Sequence, residues 1–106
     1  MNNLENFFKG WIVGNFEPSL FKNREVEIGI KKYKAGDIEE EHYHKISTEY
    51  TIILSGQVKM LGKIFNQNDI VTILPGQKNK FECIEECTIL VIKTPSCIGD
   101  KYITEV

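Results

Sequence analysis

The two histidines of the chain, His42 and His44, are separated by one residue, and Glu49 follows five positions after the second. In an extended strand, residues i and i+2 project from one face with Cα atoms about 6.6 Å apart, two rises of ~3.3 Å. Imidazoles at that spacing can converge on one ion through bonds of about 2.0 to 2.1 Å. Glu49 cannot continue the same straight strand, because Lys45, Ile46, Ser47 and Thr48 intervene. A bend there carries the carboxylate onto a neighbouring strand, with Glu49, Thr51 and Ile53 on the face of the histidines. Two imidazoles and a carboxylate suit a divalent metal. Without a metal, the same imidazoles titrate near neutral pH and can act as acid and base.

The elements that must hold these side chains are strands. From Glu25 onward, short stretches rich in Val, Ile, Thr, Phe and Tyr alternate with turn residues, the rhythm of an all-β sandwich or barrel. The expected strands begin at Glu25, Glu40, Tyr50, Gln57, Lys63, Asp69, Lys80 and Cys87, and turns are expected at Lys34–Asp37, Ser55–Gly56, Leu61–Gly62, Asn66–Asp69, Leu74–Gln77 and Glu85–Glu86. Gly and Asn at these points accept the positive φ that tight hairpins demand. Alternation places Val26, Ile28 and Ile30 on one face of their strand, whereas Thr88–Ile92 is apolar on both faces and reads as covered on both sides. Leu4, Phe7, Phe8 and Trp11 follow the i, i+3, i+4, i+7 spacing of a helical stripe. The chain therefore reads as an arm or short helix with an irregular connection over residues 1–24, followed by a barrel over 25–106, in a single domain. The arm either caps an open edge of the barrel or docks on a second subunit.

The intervals around the histidines match a longer pattern: Gly36, five residues, His42, one residue, His44, four residues, Glu49, six residues, Gly56. This resembles the first conserved motif of the cupins, a superfamily of small jelly-roll β-barrels, and the strand rhythm from Glu25 to Lys93 is consistent with the whole barrel. The second cupin motif departs from the family. Its positions of Gly, Pro, Gly, His and Asn read here Asn68, Leu74, Gly76, Asn79 and Cys83. Asn68 can still take the left-handed turn conformation, and Pro75 lies one place along, so the hairpin should persist. The resemblance thus implies metal ligands His42, His44 and Glu49, with Asn79 in place of the fourth ligand and weaker than an imidazole.

Such a set is similar to the facial triad of non-haem iron enzymes, with positions left for water or substrate. The resemblance implies a divalent ion (Fe, Mn, Zn or Ni) and a small polar or sugar-like ligand in the barrel. It also implies two other readings. One is a metal-free isomerase or epimerase of sugars or nucleotide sugars with His42 and His44 as acid and base, although Arg24 is the only arginine available for a pyrophosphate. The other is a non-catalytic ligand-binding or assembly module. Phe81 shares the face of Asn79 and reads as a core wall, while Tyr43 points away from the histidines by parity. Glu39–Glu41 reads as a solvated charged stretch.

Composition narrows the partners. Thirteen Lys and Arg against fifteen Asp and Glu give a net charge of −2, with no basic stripe for a phosphate backbone, so nucleic acid is not expected. No apolar run reaches the ~20 residues that span a bilayer, and no secretory h-region is evident. The expectation is a cytoplasmic protein without a membrane segment. Cys83, Cys87 and Cys97 form an odd set without a CxxC pair. Cys83 and Cys87, flanking Ile84–Glu86, are expected as small buried side chains rather than a disulfide. Apolar outer faces and an aromatic arm favour a homodimer.

Overall fold

The computed structural model describes residues 2–104. Among the described residues eight strands form one antiparallel sheet that bends around a core: β1 Trp11–Val13, β2 Glu27–Tyr33, β3 Ile38–Tyr43, β4 Thr48–Met60, β5 Lys63–Asn66, β6 Ile70–Ile73, β7 Asn79–Thr94 and β8 Tyr102–Ile103. β7 is the organising strand. One of its edges pairs with β4 along nearly its whole length; the other pairs with β2 in its second half and with β3 in its first. β4 in turn carries β6 and β5 on its far edge.

Two of the turns expected from sequence are not turns. Ser55–Gly56 lies inside β4, and Glu85–Glu86 lies inside β7. The register between these strands shifts between Ile53 and Val58, where Ser55 opposes Thr88 and Gln57 opposes Glu85. A bulge bends a strand and adds twist without reversing it, so the two breaks make one corner of the barrel. The bulge also switches parity: Thr51 and Ile53 face inward before it, Val58 and Met60 after it. Gly56 permits the corner, because a Cβ there would lie 2.1 Å from the Glu86 carbonyl oxygen, and its φ is +84°.

The core is built from Ile53, Val58, Met60, Val71, Ile73, Phe81, Ile89 and Val91, with Cys83 and Cys87 among them. Each large side chain so buried contributes roughly 1.5–3 kcal/mol. All three cysteines are free thiols. The outward residues of β7, Leu90 and Ile92, are half-buried, so this strand is largely covered on both faces.

The N-terminal stripe does not become an α-helix. Two single 3₁₀ turns, Leu4–Asn6 and Phe8–Gly10, precede β1, the first capped by the Asn3 side chain on Glu5 N–H at 2.9 Å. The break falls where Lys9 and Gly10 take φ of +51° and +82°. Gly10 passes so close to β2 that a Cβ would meet the Ile30 carbonyl oxygen at 2.0 Å. Phe8 is consequently left 71% exposed, while Trp11 joins β1 opposite Gly29.

The apolar row of β2 shares one face as expected, but it is the opposite face that turns inward. Glu27 and Gly29 point inward, with Lys31 and Tyr33 on the same side, and Val26, Ile28 and Ile30 are on the other. A polar inward row is unfavourable in a packed core and has its place only where a cavity or ion pair receives it. Among the described residues no helix is long and apolar enough to cross a membrane.

Candidate metal centre

His42 and His44 sit at the end of β3, buried to 8% and 4% exposure. A register irregularity between Glu39 and His42 precedes them, and His42 pairs with Asn79 of β7 on one side and Ile103 of β8 on the other. Glu49 comes from the start of β4 after the loop at Lys45–Ser47. The ligand-capable atoms of His42, His44 and Glu49 lie within 4.8 Å of one another. His44 Nε2 is 3.4 Å from Glu49 Oε1, and the two imidazole rings meet edge to face with centroids 5.4 Å apart. Donors that share one ion at ~2.1 Å stand roughly 3.0–3.4 Å apart, so the His44–Glu49 pair already has a coordinating span.

Backbone carbonyls fix which nitrogen each ring offers. His42 Nδ1 donates to its neighbour Glu40 O at 2.9 Å, and His44 Nδ1 donates to Asp100 O. A carbonyl only accepts, so both Nδ1 atoms carry protons and, in the neutral rings, both Nε2 atoms present lone pairs. This is how metal-ligating histidines are held: the far nitrogen is tied to an acceptor that sets tautomer and ring orientation. Burial lowers the His42 pKa below its ordinary value, the Glu40 carbonyl opposing and Lys101 adding to the effect, which keeps the ring neutral. For Glu49, burial pushes the pKa up, but a protonated His44 facing it, with the charge of Lys93 adding, would outweigh this and hold the carboxyl below its ordinary value.

Asp100 supports the site from the C-terminal segment. Its carboxylate accepts three backbone N–H groups, Lys45 at 2.9 Å, Ile46 at 3.0 Å and Ser47 at 2.9 Å. One residue thus holds the loop between the histidines and Glu49 with its side chain and orients His44 with its carbonyl. Burial is the largest single influence and pushes its pKa up, but these three bonds together outweigh it and hold the carboxyl below its ordinary value.

Asn79 lines the same cavity and is 4% exposed. Its Oδ1 accepts Leu61 N–H at 2.9 Å, so its amide oxygen is already engaged and its Nδ2 protons remain as donors. The hairpin before it persists, with Asn68 in the left-handed region at φ +74°. Phe81 is buried at 2% and packs on Tyr33 with ring centroids 4.6 Å apart. Tyr43 turns away from the histidines and stacks on Tyr102 at 5.5 Å.

The cluster opens into a cavity of about 270 Å³. Its lining also includes Glu27, Lys31, Lys93 and Lys101, which the sequence did not single out, and Trp11 from the N-terminal stripe. Glu27 accepts from Lys93 at 3.1 Å and from Ser96 at 2.9 Å. Tyr33 donates to Glu39 at 2.9 Å, and burial together with that carboxylate raises its pKa. The signal for Glu27, Lys31 and Tyr33 was their common parity on β2, masked by the apolar row opposite.

An antiparallel sheet bent about its core in this strand order, with a His–His–Glu cluster in the interior, has the double-stranded β-helix, or cupin, fold. Solved structures agree. The chain is similar to a protein with a double-stranded β-helix domain from Klebsiella pneumoniae subsp. pneumoniae, at 16% identity and a TM-score of 0.71 over 82% of this chain and 81% of that one. It is similar to the DMSP lyase DddQ from Ruegeria pomeroyi, at 18% identity and a TM-score of 0.74 over 89% of this chain and 49% of that one. It also resembles oxalate decarboxylase from Bacillus subtilis, a protein with Mn(II) centres, at 16% identity and a TM-score of 0.65 over 76% of this chain and 24% of that one. No protein-family model and no curated protein sequence matches the chain.

Proposed function

We propose that this chain is a small metal-binding cupin in which His42, His44 and Glu49 hold a divalent ion and the cavity beside them takes a small polar molecule. The observation that carries the reading is His44 Nε2. It is buried, has no hydrogen-bond partner among the described residues, and faces a carboxylate 3.4 Å away; with Nδ1 committed to the Asp100 carbonyl, a neutral ring would turn its lone pair on that carboxylate. A lone pair against a carboxylate is repulsive. A cation between them removes the repulsion, and a second ring proton would do so by making an imidazolium–carboxylate pair.

Nitrogen, nitrogen and carboxylate oxygen suit Mn or Fe(II) and are open to Zn or Ni. When bound, the ion supplies Lewis-acid or redox chemistry with coordination positions left for a ligand. The chain's own residues then have defined tasks. Asp100 keeps the His44 ring in register, Asn79 offers amide protons to the cavity, and Phe81, Met60 and Val91 give it apolar lining. The Mn(II) centres of oxalate decarboxylase support the choice of a divalent ion on this fold. A homodimer belongs to the same proposal, supported by Tyr50, Leu54 and Ile70, exposed on the adjacent strands β4 and β6.

Elemental analysis of protein purified without a histidine tag tests the reading. Wild type is expected to carry about one divalent ion per chain, and His44→Ala to lose it. Wild type that stays free of metal after incubation with Mn, Fe, Zn and Ni salts at neutral pH leaves the imidazolium–carboxylate pair instead and refutes the metal reading.

A further inference from the structure

Four lysines and three glutamates line the cavity, and each carboxylate is engaged. Glu27 holds Lys93 at 3.1 Å, Glu39 accepts the Tyr33 hydroxyl at 2.9 Å, and Glu49 faces His44. Lys93 is therefore neutralised, but Lys31 is not. Among the described residues no carboxylate oxygen lies within 4.0 Å of the Lys31 ammonium. It rests over the indole of Trp11, 4.7 Å from the ring centroid, and Lys93 Nζ is 5.0 Å from the same centroid.

Two ammonium groups thus share one aromatic ring in the lining of a cavity that Lys9 and Lys101 also line. Burial lowers the pKa of Lys31; Glu39 opposes this, and the charges of Lys101, Lys93 and Lys9 add to it. Lys101 lines the same cavity as His42 and Lys31, and its charge acts on both. A lysine free to reach water would escape both desolvation and like-charge repulsion. A cation kept half-dehydrated without a counter-charge is instead a group that a ligand completes.

We propose that Lys31, with Lys101 beside it, anchors the carboxylate of a small hydroxy-, oxo- or dicarboxylic acid whose remaining oxygens face His42, His44 and Glu49. This names the ligand class for the small-molecule site proposed above and rests on that reading. Size agrees. The cavity of about 270 Å³ falls below the ~300–1,000 Å³ of pockets for drug-sized ligands, which suits an acid of a few carbons better than a nucleotide sugar. Charge agrees too, since Arg24 is exposed and outside the cavity, so no guanidinium is available to clamp a pyrophosphate. Trp11 and Phe81 offer apolar surface to the carbon chain between the two charged ends.

The test is calorimetric titration of the purified protein with malonate, succinate and L-malate, and with the neutral sugar xylose, before and after incubation with Mn²⁺. Metal content and melting temperature are measured on every variant. Wild type is expected to bind at least one of the acids and not xylose, with affinity falling as salt rises. K31M keeps the apolar stem on Trp11 and should fold; it is expected to weaken binding by about tenfold or more, the loss of one charge-assisted contact, with metal content unchanged. K31R, which restores the charge, should recover part of the affinity. Failure of all three acids to bind wild type, binding of xylose alone, or K31M binding as tightly as wild type overturns the proposal. The two readings fail separately. Wild type without an ion that still binds an acid through Lys31 loses the metal and keeps the anion site, whereas a stoichiometric ion with unaltered K31M binding does the reverse.

Discussion

Replacing Asp100 by Asn preserves the side chain's shape and removes its charge. In the native protein one carboxylate oxygen accepts Lys45 N–H at 2.9 Å, and the other accepts Ile46 and Ser47 N–H at 3.0 and 2.9 Å. An amide has one acceptor oxygen. Turned to keep Ile46 and Ser47, it aims its own N–H groups at the N–H of Lys45 and leaves that donor unpaired, which costs about 1–3 kcal/mol. The two retained bonds lose charge assistance, roughly a further 1 kcal/mol. Lys45 is exposed on its outer side, so water relieves part of the first cost, and the expected destabilisation is about 2–3 kcal/mol. That is a large share of the 5–15 kcal/mol typical of a domain.

Urea unfolding followed by the fluorescence of the single tryptophan, Trp11, measures this difference at pH 7 and again at acid pH. The pKa of Asp100 is lower in the folded chain than its ordinary value of 3.8. Its contribution is therefore complete above that value and is lost as pH falls through the lower, folded one. The gap between wild type and D100N should narrow as pH drops from 5 towards 3. A gap under about 0.5 kcal/mol at pH 7, the range of ordinary surface substitutions, or one that widens in acid, would refute the reasoning. Because the Asp100 carbonyl also orients His44, D100N should bind Mn²⁺ about tenfold more weakly, the usual effect of disturbing a ligand's support.

G56A should unfold the corner between β4 and β7, since its Cβ would stand 2.1 Å from the Glu86 carbonyl oxygen at a φ of +84°. A loss above about 3 kcal/mol, or no soluble protein, is expected, and a urea midpoint equal to wild type contradicts it. Ellman's reagent should titrate Cys97 in the native protein, and Cys83 and Cys87 only after unfolding. Those two are buried, and burial with Cys83 alongside pushes the Cys87 thiol up to about 12; simultaneous reaction of all three native thiols would show the core to be open.

The histidines, Glu49 and the β rhythm were legible in the sequence because each rests on a local rule. Two-residue spacing in a strand fixes a shared face, and Asn68 can take positive φ wherever it occurs. The rest depended on tertiary pairing. Ser55–Gly56 and Glu85–Glu86 carry turn chemistry, yet they face each other across one ladder, and a strand already paired on both sides bends rather than reverses. On β2 the shared face of Val26, Ile28 and Ile30 was legible, but not that it lies away from the cavity, because Glu27 and Lys31 are drawn in by Lys93 and Trp11, distant in sequence, and Tyr33 by Glu39 on the next strand. The 3₁₀ turns replaced a helix because the close approach of Gly10 to Ile30 outweighed periodicity. Asp100 and Lys101 lie in a segment with no periodic signal at all. Their role follows from β8 pairing with β3 beside His42.

The most direct measurement of the central claim is anomalous diffraction from crystals of the untagged protein grown with Mn²⁺. One anomalous peak is predicted about 2.0–2.3 Å from His42 Nε2, His44 Nε2 and a Glu49 oxygen. A peak at other residues only, or none with the three side chains ordered and Mn²⁺ in excess, would contradict the account.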